Sequence, residues 1–385
     1  MADSRTLPEF SLVRGGPFYD LERGLRLVRP PRFMTGRAAL LLVLVSWLPL
    51  VLFSLLQGEG AVQRLFSEFQ VHAELLLSLP VMVVAEPYID ARVGEAAREF
   101  LRADLVEDKD RRAYEVSVAR MARWRDAPSV ELALLGLTIA FAVLTTMDAS
   151  RSWMVEGGAS QRPSLAGGWY LCVSQPLERF LMLRWLWRGA VWSVFLWRAS
   201  RLPLRLVPTH PDQAGGLGFL SIHQACFSPL VFAAAVPVAA YSFRTNAAAI
   251  TETPITYVMP QVLFAVLACV AVFAPLTFFC HQMVRSKRRA DAWFSAVAAH
   301  HSRRFEDKWF HAQEPRDEKL LGAPEFSSLA DLGSSFILAR KMKLFPWDKR
   351  SVIAVGLSGL SPLVILLVLD RQFLAVVNQL RQSVS

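Results

Sequence analysis

The sequence predicts an all-α protein, a polytopic bundle of about seven transmembrane helices with helical segments at its cytoplasmic side. Three observations carry this. Of 385 residues, 53% are hydrophobic and only 19% charged, with mean hydropathy +0.32, against roughly 45–50% and about 25% in soluble domains. The apolar residues gather in long uncharged runs, and the Lys and Arg residues gather between them.

The first run, "AALLLVLVSWLPLVLFSLL" (Ala38–Leu56), is long enough to cross about 30 Å of hydrocarbon as a helix. It starts too late to be a secretory signal and lacks a small-residue cleavage site, so it reads as a retained span. Further spans are expected at Val71–Ile89, Val130–Met147, Gly168–Arg198, Ile222–Phe243, Tyr257–Met283 and Val352–Leu369. Val71–Ile89 is the weak one. Its apolar heart is 11 residues between Glu74 and Glu86, with Pro80 inside, short enough to be re-entrant, and six crossings are then the fallback.

The charges favour seven. Seven arginines precede the first span, nine Lys and Arg fall in 90–129 and fourteen in 284–351, while 57–70 and 244–256 carry one each and 148–167 two. Seven crossings put the rich segments on one face, so the chain is expected to run from a cytoplasmic N-terminus. The net charge of +9 then suits anionic lipid headgroups better than nucleic acid.

The implied organisation is a basic cytoplasmic segment (1–37), two spans (38–89), a solvated helical hairpin (90–129), a four-span core (130–283) with a loop at 205–220, an amphipathic basic segment (284–351), and a last span with its tail (352–385). The segment "RSKRRADAWFSAVAAHHSRRFEDKWF" is expected to leave the bilayer and rest on the anionic leaflet. Cys172, Cys226, Cys269 and Cys280 lie in or beside apolar runs without CxxC spacing. They read as small buried hydrophobes, not as disulfides or metal ligands. No metal site, cofactor or catalytic residue is expected: GxSxG, HExxH and P-loop motifs are absent, and the histidines lack ligand spacing.

Two places carry functional signal. In 168–198, Pro176 divides a long stretch, and Arg184 and Arg188 follow it one turn apart on a face shared with Trp192. An arginine at bilayer depth costs about 2.5–3.5 kcal/mol on insertion scales. Three readings compete for the pair: an interfacial belt, a lock onto carboxylates such as Glu131 or Glu178, or the lining of a path for an anion. The second place is "RLVPTHPDQAGGLGFL" (205–220). Pro208 and Pro211 forbid a continuous helix there, while Gly215, Gly216 and Gly218 permit tight turns. Either Asp212 caps a rigid connection, or His210, Asp212 and Gln213 present side chains to a ligand while glycine amides form an anion nest.

The phrases "LRLVPTHPDQAGGLGFL", "FLMLRWLWRGAVWSVFLWRASRL" and "LADLGSSFILARKMKLFPWD" resemble a family of bacterial multi-pass inner-membrane proteins with an HPD-x2-GGLG loop, over roughly residues 75–370. The resemblance implies an inner-membrane location and no activity. The residues leave three functions open: a channel or transporter for a small solute, an anion if Arg184 and Arg188 supply the field; a scaffold or regulatory protein recruiting partners through its cytoplasmic helices, with a homo-oligomer or another protein as the open partner classes; and a lipid-handling enzyme using His210 and Asp212.

Overall fold

The computed structural model describes residues 10–24, 28–29, 32–146, 154, 164–246, 254–311 and 324–365. The regular structure of the described residues is helical apart from a two-residue antiparallel pairing of Val28–Arg29 with Arg32–Phe33 and an isolated bridge between Val106 and Leu204. A short helix α1 (Pro17–Gly24) precedes α2 (Thr35–Leu56). Then come α3 (Phe69–Arg102) and its partner α4 (Asp108–Arg125), α5 (Pro128–Thr146), and α6, a continuous helical run over 165–199. After the 200–218 loop follow α7 (Phe219–Ser242), α8 (Pro254–Phe273), α9 (Cys280–Trp309), α10 (Pro324–Lys341) and α11 (349–365).

Among the described residues, five helical stretches are long and apolar enough to cross a membrane: Thr35–Leu56, Phe69–Arg102, Asp108–Leu144, Phe219–Ser242 and Val258–Trp309. The protein is thus built as a multi-pass membrane protein. Leucines along α2 and α5 (Leu40, Leu44, Leu48 and Leu52; Leu132, Leu137 and Leu144) face outward, as lipid-facing residues should. The stretch in doubt, Val71–Ile89, lies inside one 34-residue helix, the most buried of the five. At 1.5 Å per residue that helix is about 50 Å long, ample for a full crossing. The 168–198 and 352–369 segments do not meet the same standard. The first carries Glu178, Arg179, Arg184 and Arg188, and residues 366–369 of the second fall outside the described residues.

Pro80 and Pro176 interrupt neither helix. Each follows a π turn, Glu74–Ser78 and Tyr170–Ser174, in which the amide of the next residue (Leu79 or Gln175) donates to a carbonyl five residues back. A proline costs an α-helix one hydrogen bond and a clash with the carbonyl four residues earlier. Widening the preceding turn relieves both. Pro176 therefore does not divide its segment, contrary to the sequence expectation.

The 90–129 hairpin is helical, yet its inner face is core. Phe100, Tyr114 and Met121 are fully buried, and Phe100 and Tyr114 pack against Phe195 of α6. The N-terminal segment inserts too. Leu12 and Val13 are fully buried, and Phe10 stacks on Phe195 and leans, tilted, against Trp192. Asp90 of α3 accepts the Leu12 amide at 2.7 Å, the Ser11 hydroxyl at 2.8 Å and the Val13 amide at 3.2 Å. This strap passes so close to α3 that a Cβ on Gly94 would stand 2.8 Å from the Phe10 carbonyl oxygen. All four cysteines are free thiols, but only Cys226 is buried, and Cys172 is exposed. Apolar sequence context fails as a guide to burial here, because a membrane helix is apolar on its outer face as well.

Candidate functional site

Arg184 and Arg188 point into the protein, with 3% and 2% of their surface exposed. Arg188 Nη1 donates to Glu86 Oε1 at 2.7 Å, and Arg184 Nη1 lies 3.5 Å from the same oxygen. Arg184 Nε lies 3.4 Å from Glu131 Oε1, while the other Glu131 oxygen accepts the Phe18 amide at 2.8 Å. Arg184 also stacks over the Phe18 ring and Arg188 over Trp185. Four helices meet at this point: α3 brings Glu86, α5 Glu131, α6 the arginines and α1 the covering Phe18.

The two guanidinium groups are matched by two carboxylates, so the cluster is close to neutral before a fifth member is counted. That member is Glu22, buried on α1. Burial and the neighbouring Glu86 push its carboxyl up to about 7, with Arg184 and Arg188 opposing and Glu131 adding to the rise. Desolvation wins here because the opposite charges are already engaged.

Of the carboxylates expected to meet the arginines, Glu131 does. Glu178 does not; it is buried near Glu74 and Arg179. Glu86 was missed, although it ends the apolar run "SLPVMVVAE", where a charge at the rim of a span is a weak signal for a partner. Trp192 lies away from the arginines' partners, deep in the core, its indole N–H donating to Gln224 Oε1 at 2.9 Å.

The 205–220 loop is organised around Asp212. Its carboxylate accepts the amides of Ala214 at 2.8 Å, Gly216 at 3.1 Å and Gly218 at 2.8 Å, with His210 Nδ1 at 2.8 Å. Half-burial works against ionisation, but the three amides and His210 outweigh it and hold the carboxyl below its usual range. The glycine amides thus do form a nest, and the chain's own carboxylate fills it.

Gly215 and Gly216 take φ of 68° and 96°, where only glycine is unstrained. Gly218 lies so close to Asp212 that a Cβ would be 2.9 Å from the carboxylate. Gln213 reaches φ 55° and its carbonyl accepts the Lys343 amide at 2.7 Å. Ser221 Oγ accepts the Asp348 amide at 2.9 Å. The loop therefore docks on the "KMKLFPWD" stretch, which brings two of the sequence's three distinctive phrases together.

Asp212→Asn keeps the shape but gives up charge-assisted bonds worth about 1.5–3 kcal/mol each to a charged group. Thermal unfolding should show a loss of about 2 kcal/mol or more, with proteolysis arising first at 208–218. An unchanged melting temperature would show that the amides do not depend on the carboxylate.

Among the described residues, no group of three or more His, Cys, Asp or Glu could hold a metal ion. No family model, curated protein or solved structure matches the chain.

Proposed function

We propose that the chain is an inner-membrane protein with seven crossings and a cytoplasmic N-terminus, and that it conducts or transports a small anion. The observation carrying this reading is the buried arginine pair, each member held by a carboxylate. Glu86 and Glu131 occupy the place a permeating anion would take, so this arrangement is a closed one. Opening requires the strap and α1 to lift, and Glu22 sets when they do. Once ionised it brings a third negative charge against two positive ones.

The test is ion flux through the purified protein in liposomes at pH 5.5 and pH 8, comparing chloride, phosphate and potassium. Anion-selective flux should rise at pH 8. It should vanish in Arg188→Gln, in a preparation whose helix content is unchanged, and lose its pH dependence in Glu22→Gln. No anion-selective flux from the wild-type protein at either pH and several voltages sinks the proposal.

One observation favours a scaffold instead. The α9–α10 pair has a small core of its own, with Phe294 stacked on Phe336 beside Ala290 and Ala339, and Trp293 exposed. In that case deleting 284–345 removes the cellular phenotype, and the arginines tolerate neutral residues. The lipid-enzyme reading loses support, since Asp212 is committed to backbone amides.

A further inference from the structure

A cleft of about 1090 Å³ opens between the 200–206 loop and the start of α9. Its wall is basic: Arg201 and Arg205 come from the loop, and His281, Arg285 and Arg289 from α9. The last three recur at four-residue spacing and so share one helix face. Among the described residues, none of these four arginines has a carboxylate within ion-pair distance. The acidic lining residue, Glu107, is itself held by Lys109 at 2.6 Å.

The cleft is also rigidly framed. Gln282 Nε2 donates to the carbonyls of Ser200 and Leu202 at 2.5 and 2.7 Å, fixing the loop to α9. On the other side the Arg205 amide donates to Leu105 O at 2.8 Å, and Val106 bridges to Leu204. The opposed guanidinium groups are therefore anchored at their backbones.

Its level in the bundle is informative. Leu263, Val266, Leu267 and Val270 of α8 face outward, and this apolar exterior ends at Phe278, which lines the cleft beside the half-exposed Trp197. An aromatic pair followed by arginines marks the depth of headgroup phosphates.

We propose that this cleft binds a phosphate group through Arg201 and Arg205 on one wall and Arg285 and Arg289 on the other. Guanidinium recognises phosphate oxygens bidentately, and four such groups, none ion-paired to a carboxylate although Glu107 acts on Arg205 from a distance, present more donors than a chloride ion can use. The phosphate belongs to an anionic phospholipid headgroup or to a free phosphate. The proposal is independent of the transport reading, because the cleft shares no residue with the Arg184–Arg188 cluster.

The test uses the full chain in phosphatidylcholine nanodiscs. One arm titrates inorganic phosphate by calorimetry. The other adds phosphatidylglycerol and counts retained lipid by native mass spectrometry. Wild type is compared with Arg205→Gln/Arg285→Gln and with Arg288→Gln, an exposed neighbour outside the cleft. Saturable binding in either arm should weaken about tenfold or more in the double variant and persist in Arg288→Gln, with melting temperatures unchanged. Binding in the first arm identifies free phosphate, and retention in the second alone identifies the headgroup. Equal weakening in Arg288→Gln, or no saturable binding in either arm, overturns the proposal.

Discussion

Replacing Glu86 by Gln is expected to be the most damaging single change in the bundle. One Glu86 oxygen faces both Arg188, at 2.7 Å, and Arg184, at 3.5 Å. Removing the charge leaves two buried cations against Glu131 and against Glu22, whose carboxyl is pushed up to about 7. Breaking a buried pair from one side costs about 3–5 kcal/mol, because the remaining charge has neither water nor partner. Arg188→Gln should cost less, since Arg184 remains to share Glu86 and Glu131. The double variant Glu86→Gln/Arg188→Gln should recover part of the loss, giving a coupling energy of about 1–3 kcal/mol in a thermal-unfolding cycle. If Glu86→Gln melts like the wild type, the cluster is not what holds α3, α5 and α6 together.

The second large effect is on pH. The Glu22 carboxyl rises from 4.5 to about 7, chiefly through burial and the neighbouring Glu86. A raised folded-state value means that the folded protein binds more protons than the unfolded chain between those limits. Its contribution is therefore fully present below about pH 4.5 and lost as pH rises through 7. The strap should be held more firmly at pH 5.5 than at pH 8. Hydrogen exchange of the Leu12 and Val13 amides, both bonded to Asp90, measures this directly after correction for intrinsic rates. Protection should fall between the two pH values in the wild type and stay level in Glu22→Gln. Equal loss in both proteins would place the titration on another group.

The helices and the multi-pass design were legible because membrane spans announce themselves by length and composition alone. Glu131 as a partner of Arg184 was legible for a related reason: charges at span level are few, and each needs compensation. Glu86 and Glu22 were harder. A carboxylate at the end of a span, or in a basic leading segment, has solvent or lipid headgroups as ready alternatives, so spacing along the chain does not reveal its partner.

The strap lies in what the sequence presents as a basic cytoplasmic segment, because seven arginines mask the short apolar "FSLV" that inserts. The loop fared better. Asp212 as a turn-fixing residue was one of two readings offered by a carboxylate set among prolines and glycines, whereas the loop's docking on 341–348 is a contact over more than 120 residues and leaves no local trace. The interior packing of α4 was hidden by its many surface charges, among which Tyr114, Val118 and Met121 form a narrow inward stripe.

The position of Phe10 also bears on how the protein is assembled. Its ring lies against Trp192 and Phe195, residues synthesised some 180 positions later. Residues 10–13 must therefore wait, apolar and uncovered, while several helices enter the bilayer. They can dock only when α3, α4 and the far end of α6 have come together. An early segment of the chain is thus among the last pieces to settle, a non-local closure of the slow kind. A bulky fusion placed close to residue 10 would hinder that final step more than the insertion of any helix before it.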